Sequence, residues 1–256
     1  MVIFGVPVYL NLLSVACLLP VLLGLVTGFY TFLIKDKSAN TRCFSYMVLS
    51  LAVFLAAYAA ATAIFDDVGR FHRWLTVLIV LVMLSIYFLF VMTYAEDPFP
   101  QVTRRIFLAK LVIAPVVFIW FLVSSSNSPL IFRRNGQFWD FEMPTQSLFV
   151  SGCILAYAFV TIGFAIAKYR IMKNRRIAKT FLVMVIIINI YLLTGAVLNP
   201  LSRKELISGD LFIWVQAIGA TVSFFGIFVM FLTHTQERST VGGNLVGITL
   251  VASLIL

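Results

Sequence analysis

The chain has 256 residues, of which 62% are hydrophobic and only 11% charged, against roughly 25% charged in a soluble domain. A formal charge of +9 would suit nucleic acid, but the basic residues are confined to short connections between apolar runs, which excludes that partner and points to the lipid bilayer. Three cysteines, Cys17, Cys43 and Cys153, lie in or beside apolar runs; their odd number and placement exclude a disulfide framework or metal cluster and suit small packing residues.

Seven apolar runs are each long enough to cross a hydrocarbon core, which takes about 20 helical residues. The first covers 6–34; the preceding "MVIFG" lacks the basic region of a cleavable signal peptide. It carries Pro20, Gly24 and Gly28, and the second run, 44–65, carries Ala52, Ala56, Ala59 and Ala63. Small residues at helical intervals let helix backbones approach closely in lipid. The connection "FDDVGRFHRW" (65–74) leads to the third run, 74–94, and the fourth, 106–125, contains Lys110 and Pro115. Prolines inside spans are expected to kink them. After "RRNGQFWDFEMP" (133–144) come the fifth run, 148–168, with Gly152 and Ala156, and the sixth, 180–199. "NPLSRKELISGD" (199–210) precedes the seventh, 211–232, which has no lysine, so the usual retinal Schiff base is excluded. A last run, "NLVGITLVASLIL" (244–256), ends with the sequence after 13 residues, and is expected to be the start of a further transmembrane helix in a truncated chain.

Lys and Arg in short loops set orientation. One set of connections holds Lys35, Lys37, Arg42, Arg104, Arg105, Lys168, Arg170, Lys173, Arg175, Arg176, Lys179 and Arg238, twelve in all. The other holds six: Arg70, Arg73, Arg133, Arg134, Arg203 and Lys204. The N-terminus is therefore expected outside and the 168–179 connection in the cytoplasm, with Lys110 snorkelling toward that basic side.

That orientation places 133–144 on the outer face. Asn135-Gly136 is a strong turn signal, and alternation beyond it sets Phe138, Asp140 and Glu142 on one side and Trp139 and Phe141 on the other. The segment is expected to fold over the bundle mouth as a lid. Asp140 would face Arg70, His72 or Arg73 in an exposed latch worth about 0–1 kcal/mol. Trp139, Asp140, Glu142, His72, Arg73 and Trp74, flanked by Asp66 and Asp67, are the ligand or sensor candidates, since aromatics mixed with charges can hold a polar or cationic small molecule. The plainer reading of Trp74 and Trp139 is interfacial anchoring with the indole N–H kept wet.

No Asp or Glu falls in the middle of any run, whereas ion-coupled transporters usually keep ionisable relays at membrane depth. Asn189, Thr194 and Gln216 are the deepest polar residues and are expected to bond across helices. Phosphate-loop, zinc-protease and nucleophile-elbow motifs are absent, so no catalytic residue, metal or cofactor is assigned, and His234 reads as a headgroup-level residue.

"FHRWLTV" (71–77), "GQFWDFEMP" (136–144) and "TQERSTVGGNLVGITLV" (235–251), set in this order of spans, resemble the N-terminal seven-transmembrane module of bacterial histidine kinases and of SpoIIE-like phosphatase or adenylate cyclase signalling proteins. The resemblance implies an all-α, polytopic bundle of seven transmembrane helices plus the start of an eighth. Residues 1–243 would form the sensor domain, and 244–256 the start of a further helix. It also implies a bacterial inner membrane location and a signal relayed to a cytoplasmic output domain that this chain lacks, so that the chain itself is not an enzyme. A small-molecule ligand on the outer face and a homodimer are the partners it leaves open. The alternative is a small-solute transporter or lipid-handling membrane protein; halves related by internal repeat would favour it, and the runs show none.

Overall fold

A computed structural model describes residues 2–3, 5–35, 37–133 and 138–234. The expected turn at Asn135-Gly136, the side chain of His234, and the run at 244–256 lie outside the described residues. Two short strands, β1 (Val2–Ile3) and β2 (Val6–Pro7), pair antiparallel, with Gly5 at φ +81° in the connecting turn. The first helix therefore begins later than the apolar run does. Asn11 stops the strand-like segment by capping α1 (Leu12–Phe32), its side chain accepting from Ser14 N while Ser14 Oγ accepts from Asn11 N. This reciprocal pair satisfies two of the helix's orphan donors. Asn11 Nδ2 also donates to Thr62 O at 2.6 Å, which ties the start of α1 to the far end of the second span.

The other spans are α2 (Ala39–Ala63), α3 (His72–Thr93), α4 (Pro100–Ser126), α5 (Pro144–Ile171), α6 (Arg175–Arg203) and α7 (Gly209–His234). Each of the seven is long and apolar enough to cross a membrane. A 3₁₀ turn, Asp67–Phe71, leads into α3, and an antiparallel hairpin of β3 (Leu130–Arg133) and β4 (Phe138–Phe141) joins α4 to α5. Helices α4, α5 and α6 outrun their apolar stretches because polar turns can stay helical in the headgroup layers, which add about 10–15 Å to the hydrocarbon thickness.

Small residues set the α1–α2 seam. A Cβ on Gly24 would stand 3.0 Å from Ala52 Cβ, and one on Gly28 would meet the Leu49 side chain at 2.7 Å. By contrast, a Cβ on Gly152 of α5 would meet nothing within 4 Å, so among the described residues that part of the small-residue pattern makes no close approach. The core is built of fully buried Leu55, Leu81, Leu84, Phe88, Met184 and Phe231. The opposite extreme is α4, which turns Val112, Val116, Ile119 and Val123 outward, the face expected of a helix bordering lipid.

Two lysines depart from the reading of the sequence. Lys168 is buried within α5 rather than in a connection, and its Nζ donates to the carbonyls of Val91, Met92 and Tyr94 at the C-terminus of α3. A cation there satisfies orphan carbonyls and complements the helix dipole, and Ala95 at φ +62° lets the chain turn away. Lys110 does not snorkel. It points inward, donating to Tyr157 O at 3.2 Å and Thr161 Oγ1 at 3.0 Å, with its ammonium over the rings of Phe88 and Tyr157. Aromatic faces and a helix carbonyl offset its desolvation, since among the described residues no carboxylate pairs with it. Lys168→Met should lower the stability of the protein in lipid nanodiscs by about 1–3 kcal/mol, the cost of leaving buried acceptors unpaired, and thermal unfolding would measure it; an unchanged Tm would show that the three carbonyls find other partners.

Candidate functional site

The end of the bundle carrying the hairpin gathers the charged residues that the spans otherwise avoid. Asp66 accepts from Val68 N at 3.0 Å and so starts the 3₁₀ turn that delivers His72 and Arg73 into the first turn of α3. In the hairpin the register pairs Ile131 with Asp140 and Arg133 with Phe138. Alternation then sends Phe138 and Asp140 inward together, and both are buried.

Asp140 is the centre of the site. Its Oδ2 accepts from Arg73 Nη2 and from Arg203 Nη2, each at 2.8 Å, and its Oδ1 accepts from Arg73 Nε at 3.2 Å and Phe141 N at 2.9 Å. Arg73 Nη1 reaches on to Tyr58 OH at 3.2 Å. One carboxylate thereby joins β4 to α3 and α6, and through Arg73 to α2. Burial by itself would raise the Asp140 carboxyl, but the guanidiniums of Arg203 and Arg73 outweigh it and hold the group well below the usual carboxylate range.

The expected exposed latch is thus a buried ion triad. Among the candidate residues, Asp140 and Arg73 meet directly; the others do different work. His72 makes no hydrogen bond to the carboxylate: its Nδ1 lies 2.8 Å from Gly69 O and its ring is edge-on to Phe138. Arg70 pairs with Asp67 at 3.0 Å in a partly exposed bridge. Trp74 does not keep a wet N–H: its Nε1 donates to Ser125 Oγ at 2.9 Å and its ring stacks on Phe141 at 5.4 Å. Trp139 lies against Phe132, and Glu142 is exposed at the end of the strand. Among the described residues, no three His, Cys, Asp or Glu are grouped as a metal would require.

Arg203 and Tyr58 were not among the candidates. Arg203 belongs to a connection already placed at this end, but nothing in the sequence couples it to a residue 63 positions away. Tyr58 sits in an alanine-rich run whose periodicity speaks only of packing.

The triad is unevenly paired. Two buried guanidiniums share one carboxylate, and Arg203 Nε and Nη1 are buried without a partner. Arg133 adds a third cation close by, its Nη1 donating to Arg203 O at 3.3 Å. Beneath this cluster a cavity of about 60 Å³ opens between α2, α3, α5, α6 and α7, with Arg73, Tyr58, Asn199 and Gln216 among its walls. A second, apolar cavity of about 30 Å³ continues inward, and Leu51, Met83, Tyr191 and Leu192 line both. Deeper still, Asn189 Nδ2 donates across to Tyr87 OH at 2.6 Å, the interhelical bond expected of it.

Asp140→Ala should cost about 3–5 kcal/mol, because it strands two buried guanidiniums. With the native Asp140 pKa depressed, its contribution is complete above the unfolded value of about 3.9 and is lost only as pH falls below it. The gap in thermal stability between wild type and variant should stay constant from about pH 8 to 5 and narrow below about pH 4. A gap that closed near neutrality would show that another group governs the latch. No protein-family model and no curated protein matches the chain, so the function is read from this geometry.

Proposed function

We propose that this chain is a membrane-embedded sensor that relays an extracytoplasmic or membrane signal to a cytoplasmic output domain, of the SpoIIE-like phosphatase, cyclase or kinase kind, in a bacterial inner membrane. The observation that carries this reading is the buried carboxylate of Asp140, which fastens a surface hairpin to α3 and α6 at once. A buried ion pair adds little net stability against an apolar equivalent but is costly to break singly. That combination suits an element with two discrete arrangements, which is what a relay needs. The basic residues Arg104, Arg105, Arg170, Lys173, Arg175 and Arg176 cluster at the end opposite the hairpin, supporting a cytoplasmic position for that end and an outer position for the lid.

A small-solute transporter is the competing reading, and the cavity below the triad is what favours it. Against it, every Asp and Glu in the described residues lies at or beyond a helix end, leaving no acidic relay at membrane depth.

The two readings part in reconstituted vesicles. In a variant freed of Cys17, Cys43 and Cys153, exposed Asp67 and Asn174 are replaced singly by Cys. An impermeant thiol reagent should label Asp67→Cys on intact cells and Asn174→Cys only after permeabilisation. An environment-sensitive dye on Asn174→Cys should then change its emission when Asp140→Asn is added, with no solute accumulating under an imposed ion gradient. An unmoved dye would reduce the hairpin to a staple, and gradient-driven uptake would establish the transporter.

A further inference from the structure

The cavity under the triad has walls that ask for a particular occupant. Gln216 is 5% exposed and its Nε2 has no hydrogen-bond partner, and the hydroxyl of Tyr191, 7% exposed, has none either. Both residues line the cavity. A buried amide or hydroxyl left unpaired costs about 1–3 kcal/mol, and native proteins leave few such groups empty-handed. Gln216 is held in place by an absence: a Cβ on Gly195 would come within 3.1 Å of its Nε2 and 3.2 Å of its Oε1. Glycine at this point on α6 makes room for the amide to lie across the helix and face the cavity.

Charge narrows the choice further. Arg73 forms part of the cavity wall, and the group it belongs to carries two guanidiniums for one carboxylate, with unpaired nitrogens on Arg203 one helical turn above Asn199. Low-dielectric walls focus such a positive field on the cavity mouth and favour an anion there. A strongly hydrated inorganic ion would leave the inner half unfilled, because past Tyr191 the space is apolar, walled by Phe44, Met47, Val48, Phe224 and Ile227.

Size follows from volume. The cavities, of about 60 and 30 Å³, each have room for more than a single water, and their shared walls at Leu51, Met83, Tyr191 and Leu192 let one short, unbranched molecule reach through both. We infer that the two cavities form one binding site for a short-chain carboxylate of four to six carbons, its head between Arg73 and the Gln216 amide, its alkyl end beyond Tyr191. This deepens the sensor reading by naming a ligand class for the space directly beneath the latch, but binding can be tested apart from relay.

The test uses the full chain in nanodiscs, titrated with sodium acetate, butyrate, hexanoate and decanoate, with butyramide as the neutral counterpart and sodium chloride as the inorganic control; thermal shift and calorimetry are the readouts. Affinity should rise roughly fourfold per methylene, the equivalent of about 0.8 kcal/mol for each buried CH₂, and fall again by decanoate. Butyramide should bind at least tenfold more weakly than butyrate. Gln216→Leu, which keeps the helix and fills the wall with an apolar side chain, should cost tenfold or more in hexanoate affinity with the thermal transition preserved. Gly195→Ala should weaken binding by displacing the amide. No dependence on chain length, equal binding of butyramide, chloride as the sole occupant, or full affinity in a folded Gln216→Leu would each overturn the site. Tight, chain-dependent binding that leaves the Asn174 dye unmoved would uphold the site and refute only the relay.

Discussion

The carboxylate of Asp140 accepts four hydrogen bonds in a place with almost no access to water. Everything distinctive about this end of the molecule follows from the need to satisfy it. The hairpin register turns it inward, and the 3₁₀ turn brings Arg73 to meet it. Helix α6 also carries on through Pro200, so that Arg203 arrives from the far side. Remove the charge and two cations are left facing one another; remove Arg73 and the buried anion loses two of its four hydrogen bonds, remove Arg203 and it loses one. Such an arrangement is poorly suited to gradual deformation, since intermediate geometries leave charges desolvated without partners. It is either closed or abandoned.

Aromatic packing makes the closed arrangement specific. Phe138 meets His72 from the inner side, while Phe141 stacks on Trp74, whose N–H is taken up by Ser125 at the end of α4. The hairpin is thereby seated by rings on both of its faces, and the ion triad determines its depth. The cavity beneath takes part of its polarity from the same residues: Arg73 is both a member of the triad and part of the cavity wall.

The seven spans were legible because bilayer thickness imposes a length and hydrocarbon imposes a composition, and both leave plain marks on a sequence. The shared inward side of Phe138 and Asp140 was legible from the alternation in 138–142, as was the meeting of Asp140 with a basic residue of 70–73, whereas the turn expected at Asn135-Gly136 lies outside the described residues. Burial was not. Local composition around Asp140 is that of an exposed loop, and only the convergence of α3 and α6 shows that it is covered. Arg203 and Tyr58 were invisible for the same reason, being brought in by tertiary packing over long separations. Lys110 and Lys168 were misplaced because a lysine near a span's end looks the same whether its ammonium reaches out to headgroups or inward to carbonyls. Trp74 misled similarly, its N–H finding Ser125 in place of water.

The grip of Lys168 on the last carbonyls of α3 has a mechanical consequence. Helix α3 has 22 residues, about 33 Å at 1.5 Å per residue, with Arg73 in its first turn and this clamp at its last. Being hydrogen-bonded throughout, it behaves as a stiff rod, and a rotation or slide imposed at Arg73 reaches the other end little diminished. There the ammonium holds three carbonyls at once, so α3 cannot shift without drawing the end of α5 along. Beyond that point lies the basic turn leading into α6. Helix α4 is tied to the same pair, to α3 through Trp74 and Ser125 and to α5 through Lys110 and Thr161, so a displacement of α3 would be shared by all three helices as one stiff unit.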